Sequence, residues 1–442
     1  MQLTSGRILA IGFMLFALFF GAGNLIFPAA MGQSAGLHVY SAVAGFCVTG
    51  AGLPLMGVAA MARSGCETLQ EAASRVHPWY GLFFTVLVYL AIGPCYALPR
   101  AGTVSFEIAI RPFLSGIDSA FAQPAFLAAF FLAAWWFAAS PSKLVDRIGK
   151  VLTPALLAGL AVLLLQSYLT PLGLPTAPEP LYATPLKAAE QGLLDGYNTL
   201  DAVVAFIFAS FVVSIVKENG ASGRKVVARA VCMAGLIAVC SLALVYVFIA
   251  KLGAESVTAI GMQDTGAPVL AECAKLLLGH TGAAILSVII LLACLSTAIG
   301  LITCCAGYAI TLLPQVPYRA WAAVFALASC LIGLLGLRAI IAAAIPVLMF
   351  IYPLVVALGV LLLLHDFFGG RRCVYAWTIG CTSLMAFVYL LRAAGAPLGG
   401  LEGILSSTVP LYSSGLGWLP FAAAGFAIGL AWKEAVPEKM AA

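Results

Sequence analysis

The segment 16-FALFFGAGNLIFPAAMG-32 places two glycines and an asparagine in the middle of an apolar stretch that is otherwise typical of a membrane-spanning helix. Gly21 and Gly23 together lower helix propensity by roughly 2 kcal/mol relative to alanine, and Asn24 competes for backbone hydrogen bonds. One explanation is close packing of small residues against a neighbouring helix. The other is a broken helix, whose first half would offer carbonyl oxygens to a cation and whose second half would offer free N–H groups to a carboxylate.

The composition of the whole chain excludes a soluble protein. Its 442 residues are 63% hydrophobic and only 9% charged, with a mean hydropathy of +1.08, whereas soluble domains carry roughly a quarter of charged residues. Apolar runs of about 20 residues recur from end to end. The sequence therefore predicts an all-α polytopic membrane protein with twelve transmembrane helices, at 7–31, 37–62, 79–109, 121–140, 147–169, 193–217, 226–251, 280–313, 316–336, 338–365, 374–393 and 415–432.

The distribution of basic residues predicts the orientation. Of the 22 lysines and arginines, fifteen fall on the side that holds the amino terminus, six fall on the other side, and Arg100 lies inside a span. Basic loops remain in the cytoplasm, so both termini are expected there. The net charge of +5 is thus explained by topology, and no nucleic-acid partner and no obligatory protein partner are inferred.

The chain has few residues that could bind a metal ion or a cofactor. Its twelve cysteines contain no C-x-x-C pair, and only four histidines are present. Zinc, haem and iron–sulfur sites need more clustered ligands. We therefore expect no cofactor, and the absence of a nucleophile–base set argues against an intramembrane enzyme. A channel is also disfavoured, because no repeated pore motif or charged ring is present.

A few polar residues interrupt the predicted spans. Arg100, Glu107 and Asp201 would each cost at least ~2.5 kcal/mol in lipid, so each should face protein or water. We expect Arg100 to pair with Asp201, either as an external gate or as a permanent structural ion pair, with Glu107 as the rival partner. In the eighth span, Ser296 and Thr297 offer two hydroxyls to a hard cation such as Na⁺, unless they bond back to their own helix.

Four motifs together carry a resemblance to a known family. They are GAGNLIFP at 21–28, 93-GPCYALPRAGTVSFE-107, 196-GYNTLD-201 and 293-ACLSTAIGL-301. With twelve spans in register, the chain resembles the bacterial branched-chain amino acid:cation symporters, the BrnQ-like carriers. The resemblance implies a leucine-transporter (LeuT-like) fold with two five-helix inverted repeats, broken helices one and six, and two additional helices. The implied divisions are 1–169 for the first repeat, 170–192 for an external loop, 193–365 for the second repeat, and 366–442 for the last two spans and a cytoplasmic tail.

The resemblance also implies roles for individual residues. The unwound part of span one, which holds the substrate's carboxylate and amine, corresponds to Gly21, Ala22, Gly23 and Asn24. Span six is expected to unwind between Ala205 and Ser210, with substrate contacts from Phe206, Phe208, Ala209 and Ser210. The implied sodium ligands are Ala17, Phe20, Ala293, Ser296 and Thr297.

The implied activity is sodium-coupled uptake of leucine, isoleucine and valine across the bacterial inner membrane, with an amino acid, Na⁺ and the lipid bilayer as the partners. Few acidic residues line the expected pocket, which favours a neutral side chain on the substrate. A proton-coupled symporter or an exchanger of another neutral amino acid is the alternative.

Overall fold

The protein is described by a computed structural model that covers residues 4–114, 119–139, 153–218, 220–221 and 223–432. All regular elements within these ranges are helical, and two π-helical turns join α3 to α4 and α6 to α7. In chain order the α-helices are α1 Ser5–Phe19, α2 Ala22–Ala35, α3 Val39–Cys47, α4 Leu53–Ser64, α5 Leu69–Ser74, α6 Pro78–Leu90, α7 Ala97–Ala109, α8 Ser119–Ala138, α9 Thr153–Leu169, α10 Pro185–Tyr197, α11 Asp201–Glu218, α12 Arg224–Ile260, α13 Gly266–Leu312, α14 Tyr318–Gly333, α15 Leu337–Leu363, α16 Arg372–Ala393, α17 Gly400–Thr408 and α18 Trp418–Ala431.

Among the described residues, seven helical stretches are long and apolar enough to cross a membrane, or eight if a bent pair counts as one span. Four further apolar helices have only 10–17 residues, including α1 and α18. The predicted polytopic, all-helical architecture is therefore confirmed, whereas the count of twelve spans stays a prediction. Large apolar side chains such as Trp79, Leu165, Leu244 and Leu384 are mostly exposed, as a lipid-facing surface requires.

The first predicted span is broken, as one of the two explanations of its glycines required. Helix α1 ends at Phe19 and α2 begins at Ala22, with Phe20 and Gly21 in extended conformations between them. The break is shorter than the segment expected from the sequence, because Ala22, Gly23 and Asn24 already form the first turn of α2.

The sixth predicted span is also broken, but the predicted position was wrong. Residues 205–210 are helical within α11. The break lies at 198–200, where α10 and α11 meet at an angle of 47°. Leu200 has a φ of 70° there, a left-handed conformation that a leucine adopts only when the surroundings impose it.

The predicted external loop at 170–192 is shorter than expected. Helix α10 starts at Pro185, and the Thr184 side chain accepts a hydrogen bond of 3.3 Å from the Lys187 backbone N–H. A threonine N-cap followed by proline is a typical helix start. The irregular segment therefore ends at residue 184, and the remaining predicted loop residues belong to the helix before the break.

Close backbone contacts hold α2, the second half of the broken span one, against α12. A Cβ atom on Gly32 of α2 would collide with the Ala250 carbonyl of α12, and one on Gly253 would collide with the Ala29 carbonyl. Small residues at these crossings let the helix backbones touch. In span eight, α13 kinks at Gly279, whose φ is 64°, immediately before the predicted start at 280.

Candidate functional site

The break in span one, the start of α11 and the middle of α13 surround one small internal cavity. Its volume is about 30 Å³, enough for one or two water molecules and too small for an amino acid. Seven of the residues predicted from the sequence line it: Gly21, Ala22, Asn24, Arg100, Asp201, Phe208 and Thr297.

The Asn24 side chain is engaged entirely with the protein. Its Oδ1 accepts a hydrogen bond of 3.0 Å from the Gly21 backbone N–H, which caps the start of α2. Its Nδ2 donates to Oδ2 of Asp201 and, over 2.6 Å, to the Tyr246 hydroxyl. Asn24 thus shapes the break and fastens it to spans six and seven, since α11 carries Asp201 and α12 carries Tyr246.

Asp201 lies at the amino-terminal end of α11 and is 3% exposed. The Tyr246 hydroxyl donates to its Oδ2 over 2.9 Å and also lies 3.4 Å from the Gly50 carbonyl oxygen. No lysine, arginine or histidine of the described residues forms a salt bridge with it. The carboxylate is therefore held by neutral hydrogen-bond donors and by the helix dipole.

Arg100 does not form either of the predicted ion pairs. Its Nη1 donates to the Tyr96 hydroxyl at 2.8 Å and to the Asn198 carbonyl at 2.5 Å, and Nη2 donates to the Thr199 carbonyl at 3.3 Å. These carbonyls belong to the break in span six, so Arg100 supplies the polar partner that unwound backbone needs inside a membrane.

The rival partner of Arg100 is engaged elsewhere. Glu107 pairs instead with Arg111 one helical turn away, at 2.6 Å. The direct Arg100–Asp201 pair was wrong because the guanidinium is occupied by backbone oxygens next to Asp201 rather than by its carboxylate.

Both glycines of the GAGN motif make contacts that any side chain would obstruct. A Cβ on Gly23 would lie 2.8–3.2 Å from three atoms of the Arg100 guanidinium. A Cβ on Gly21 would lie 3.1 Å from the Thr297 hydroxyl oxygen and 3.2 Å from its methyl carbon. Each glycine therefore lets a polar side chain of another span approach the backbone of span one closely.

The structure brings part of the predicted sodium set together. The Thr297 hydroxyl oxygen lies 3.5 Å from the Phe20 carbonyl oxygen, across the contact between α13 and the break in span one. Ser296 instead donates to the Ala293 carbonyl of its own helix at 2.8 Å, which is the alternative arrangement considered from the sequence. Ala17 is 4% exposed on α1.

The residues predicted for substrate contact on span six have different surroundings. Phe208 lines the cavity and packs against Phe19, with ring centroids 5.9 Å apart. Phe206 packs elsewhere, against Gly57 of α4 and Gly359 of α15. Ala209 is fully buried, and the Ser210 hydroxyl is buried without a hydrogen-bond partner.

Sequence reasoning missed the two tyrosines that complete the site. Tyr246 binds Asn24 and Asp201, and Tyr96 binds Arg100. Tyr96 lies in the third-span motif, four residues before Arg100 and so on the same helical face. Tyr246 gave a weaker signal, a single hydroxyl in an apolar span that must find a partner when buried.

We expect Tyr246→Phe to lower stability by about 1–3 kcal/mol, because it removes the hydroxyl that contacts both Asn24 and Asp201 and leaves those buried groups with fewer partners. The matched control is Tyr352→Phe. The Tyr352 ring stacks on Tyr197 at 4.2 Å, but its hydroxyl is buried without a partner, so this change should be neutral or stabilising. Melting temperatures of the purified variants in detergent measure both, and equal losses would contradict the assigned network.

The fold is shared with solved membrane transporters. Mhp1, a nucleobase-cation-symport-1 family transporter in a closed conformation with bromovinylhydantoin bound, superposes with a TM-score of 0.63 at 14% identity, covering 96% of this chain and 91% of that chain. MhsT in complex with L-phenylalanine gives a TM-score of 0.58 at 18% identity, covering 95% and 98%. At 14% and 18% identity, this likeness shows a shared fold.

The chain belongs to the family described as branched-chain amino acid transport protein, whose sequence model matches residues 4–436. Branched-chain amino acid permease BrnQ of Bacillus subtilis (strain 168) is 41% identical over 424 residues, 96% of each chain. The branched-chain amino acid transport system 2 carrier protein of Pseudomonas aeruginosa is 38% identical over 413 residues, 93% of this chain and 92% of that protein. The family identified from the four motifs is confirmed, and the protein is a transport protein rather than an enzyme.

Proposed function

We propose that the protein imports leucine, isoleucine and valine together with Na⁺ by alternating access, across the bacterial inner membrane and with both termini in the cytoplasm. The observation that carries the proposal is the meeting of the span-one break, the start of α11 and Thr297 at one buried cavity. Relatives at 37–41% identity that cover 95–100% of the chain are named branched-chain amino acid permeases.

The cavity lining suits a small zwitterion with an aliphatic side chain. The start of α2 directs a positive dipole end toward the cavity, which favours a carboxylate there. Apolar side chains form most of the remaining wall: Leu18, Phe19, Val204, Phe208 and Leu301. Since the cavity is only about 30 Å³, the substrate must bind and leave through conformations in which the cavity widens, with the repeats separating on one side at a time.

The geometry at Thr297 supports sodium as the coupling ion. Oxygen ligands of a hard cation such as Ca²⁺, which is close to Na⁺ in size, lie about 2.3–2.6 Å from the ion, so neighbouring ligands of an octahedral site are about 3.4 Å apart. The Thr297 hydroxyl and the Phe20 carbonyl are separated by 3.5 Å. One inward positive charge supplies ~2.3 kcal/mol per 100 mV, about fifty-fold accumulation. The carbonyls of Ala17 and Ala293 would complete the set, whereas the Ser296 hydroxyl already donates to the Ala293 carbonyl at 2.8 Å.

One observation favours the alternative of proton coupling. Asp201 is a buried intramembrane carboxylate whose hydrogen-bond partners among the described residues are neutral. Such groups form the proton relays of many transporters. A proton-coupled symporter or an exchanger of a neutral amino acid is therefore the second candidate.

Uptake by proteoliposomes separates the two candidates. We expect an inward Na⁺ gradient to drive leucine accumulation and a proton gradient alone to drive none, because Thr297 and Phe20 offer oxygen ligands to a cation. In counterflow, isoleucine and valine should exchange with leucine, whereas lysine and glutamate should not. Accumulation that ignores Na⁺ and follows the proton gradient would overturn sodium coupling, and absence of leucine counterflow would overturn the substrate class.

A further inference from the structure

Two buried side chains of opposite charge line the central cavity without pairing with each other. Arg100 is 5% exposed and Asp201 is 3% exposed, and both contribute to the cavity wall. The nitrogen atoms of the Arg100 guanidinium and the carboxylate oxygens of Asp201 are more than 4.0 Å apart, so the two side chains form no salt bridge. An unpaired charge inside a membrane protein is costly and marks a functional site. Here two such charges face the same small space.

Arg100 has one hydrogen-bonding edge left over. A guanidinium group carries five N–H bonds, and the bonds to Tyr96, Asn198 and Thr199 use Nη1 fully and Nη2 once. Nε is buried and has no partner. The remaining N–H groups, on Nε and Nη2, form the parallel pair that grips a carboxylate with two bonds.

The orientation of the guanidinium is fixed by its neighbours. The Tyr96 ring lies 4.5 Å and the Phe27 ring 5.4 Å from its central carbon, and the Gly23 backbone packs against it. A side chain held by aromatic rings and by two backbone carbonyls loses little further freedom on binding a ligand. The unused edge is therefore preorganised.

Asp201 has a complementary open position. Asn24 and Tyr246 both donate to Oδ2. A further hydroxyl close to the carboxylate, that of Thr199, donates instead to the Gly196 carbonyl at 3.0 Å, which leaves Oδ1 without a donor among the described residues. A carboxylate oxygen can accept further donors, and an ammonium group supplies three. The Oδ1 oxygen thus suits an ammonium group, and the unused Nε–Nη2 edge of Arg100 suits a carboxylate.

We propose that Arg100 binds the carboxylate of the transported amino acid through Nε and Nη2, and that Asp201 binds its ammonium group through Oδ1. This inference rests on the proposed function and adds to it. The zwitterion then neutralises both buried charges at once, whereas a substrate lacking either charged end leaves one of them unpaired. Arg100 and Asp201 consequently select α-amino acids, and the apolar wall selects among their side chains.

The test compares ligands that lack one charged end. Leucinamide keeps the ammonium group but has no carboxylate, and 4-methyl-2-oxopentanoate keeps the carboxylate but has no ammonium group. Displacement of labelled leucine from the purified protein is measured below about pH 7, where α-amino groups are protonated. The wild type should prefer leucine over either analogue by ~100-fold, since each lost ionic contact leaves a buried charge unpaired.

Variants assign each end of the ligand to one side chain. Arg100→Gln and Arg100→Lys should each reduce the leucine/leucinamide ratio by ~10-fold or more and leave the leucine/oxo-acid ratio nearly unchanged, because lysine lacks the two-bond edge. Asp201→Asn should reduce only the leucine/oxo-acid ratio. The matched controls are Arg338→Gln and Asp264→Asn, at an exposed pair 3.5 Å apart, which should change neither ratio.

The outcomes are distinct. Ratios that stay at the wild-type value in the Arg100 and Asp201 variants overturn the inference and leave the proposed function standing. A wild type that binds no leucine overturns the proposed function itself. Should both Arg100 variants prove too unstable to measure, Asp201→Asn decides alone: an unchanged leucine/oxo-acid ratio rejects the pairing of Asp201 with the ammonium group.

Discussion

Gly23→Ala is expected to reduce leucine uptake by about 100-fold or more. The new methyl group would lie 2.8–3.2 Å from the Arg100 guanidinium, which cannot yield without losing its bonds to the Asn198 and Thr199 carbonyls. Each hydrogen bond to a charged group contributes about 1.5–3 kcal/mol. Loss of two such bonds therefore costs at least about 3 kcal/mol, which corresponds to a rate lower by about 100-fold. Initial rates of leucine uptake in proteoliposomes measure the effect.

The control for this change is Gly307→Ala in α13. A Cβ at Gly307 meets nothing within 4 Å, so the substitution should leave uptake intact and favour the helix slightly. If the Gly23→Ala variant transported leucine at the wild-type rate, Arg100 would not need the position that the structure gives it.

The family, the all-helical membrane fold and the weak point in span one could be predicted because their causes are local. Composition and apolar run length identify a membrane protein. Two glycines, one on each side of Ala22, weaken any helix that contains them. The break lies at Phe20 and Gly21 and so includes the first of these glycines. What the sequence did not show is that Asn24 caps the new helix, which returns residues 22–24 to helical geometry.

The break in span six was misplaced because its cause is not local. No glycine marks it, and Leu200 has a φ of 70°, a conformation that costs about 1–2 kcal/mol for a residue with a side chain. Two interactions hold it there. The Arg100 guanidinium of span three binds the carbonyls on one side, and Asn24 of span one binds Asp201 on the other. Contacts between residues that are about 100 or more positions apart produce no periodic pattern in the sequence.

The incorrect Arg100–Asp201 pair has the same cause, contacts between distant parts of the chain. Opposite charges at matching membrane depth predict attraction, but backbone carbonyls released by a break are acceptors that a side-chain count does not include. Arg100 binds two of them and Asp201 is supplied by Asn24 and Tyr246. Sequence reasoning placed the correct charges in the site and assigned them the wrong partners.

Thr297→Ala is expected to raise the Na⁺ concentration for half-maximal leucine uptake by about 10-fold or more. The Thr297 hydroxyl oxygen lies 3.5 Å from the Phe20 carbonyl oxygen. Loss of one contact to a charged group costs about 1.5–3 kcal/mol, which corresponds to about a 10- to 100-fold lower affinity for the ion. Leucine affinity at saturating Na⁺ should change little, because the apolar wall and Arg100 are untouched. Uptake is measured over a series of Na⁺ concentrations at fixed membrane potential.

Two neighbouring variants make this prediction specific to one oxygen atom. Thr297→Ser keeps the hydroxyl and should retain most of the Na⁺ response. Ser296→Ala removes an adjacent hydroxyl that already donates to the Ala293 carbonyl of its own helix at 2.8 Å, so it should shift the Na⁺ requirement much less than Thr297→Ala does. Equal shifts at the two positions would mean that the hydroxyls act by bending α13 rather than by binding the ion. An unchanged Na⁺ requirement in Thr297→Ala would place the coupling ion elsewhere, with the buried carboxylate of Asp201 as the next position to test.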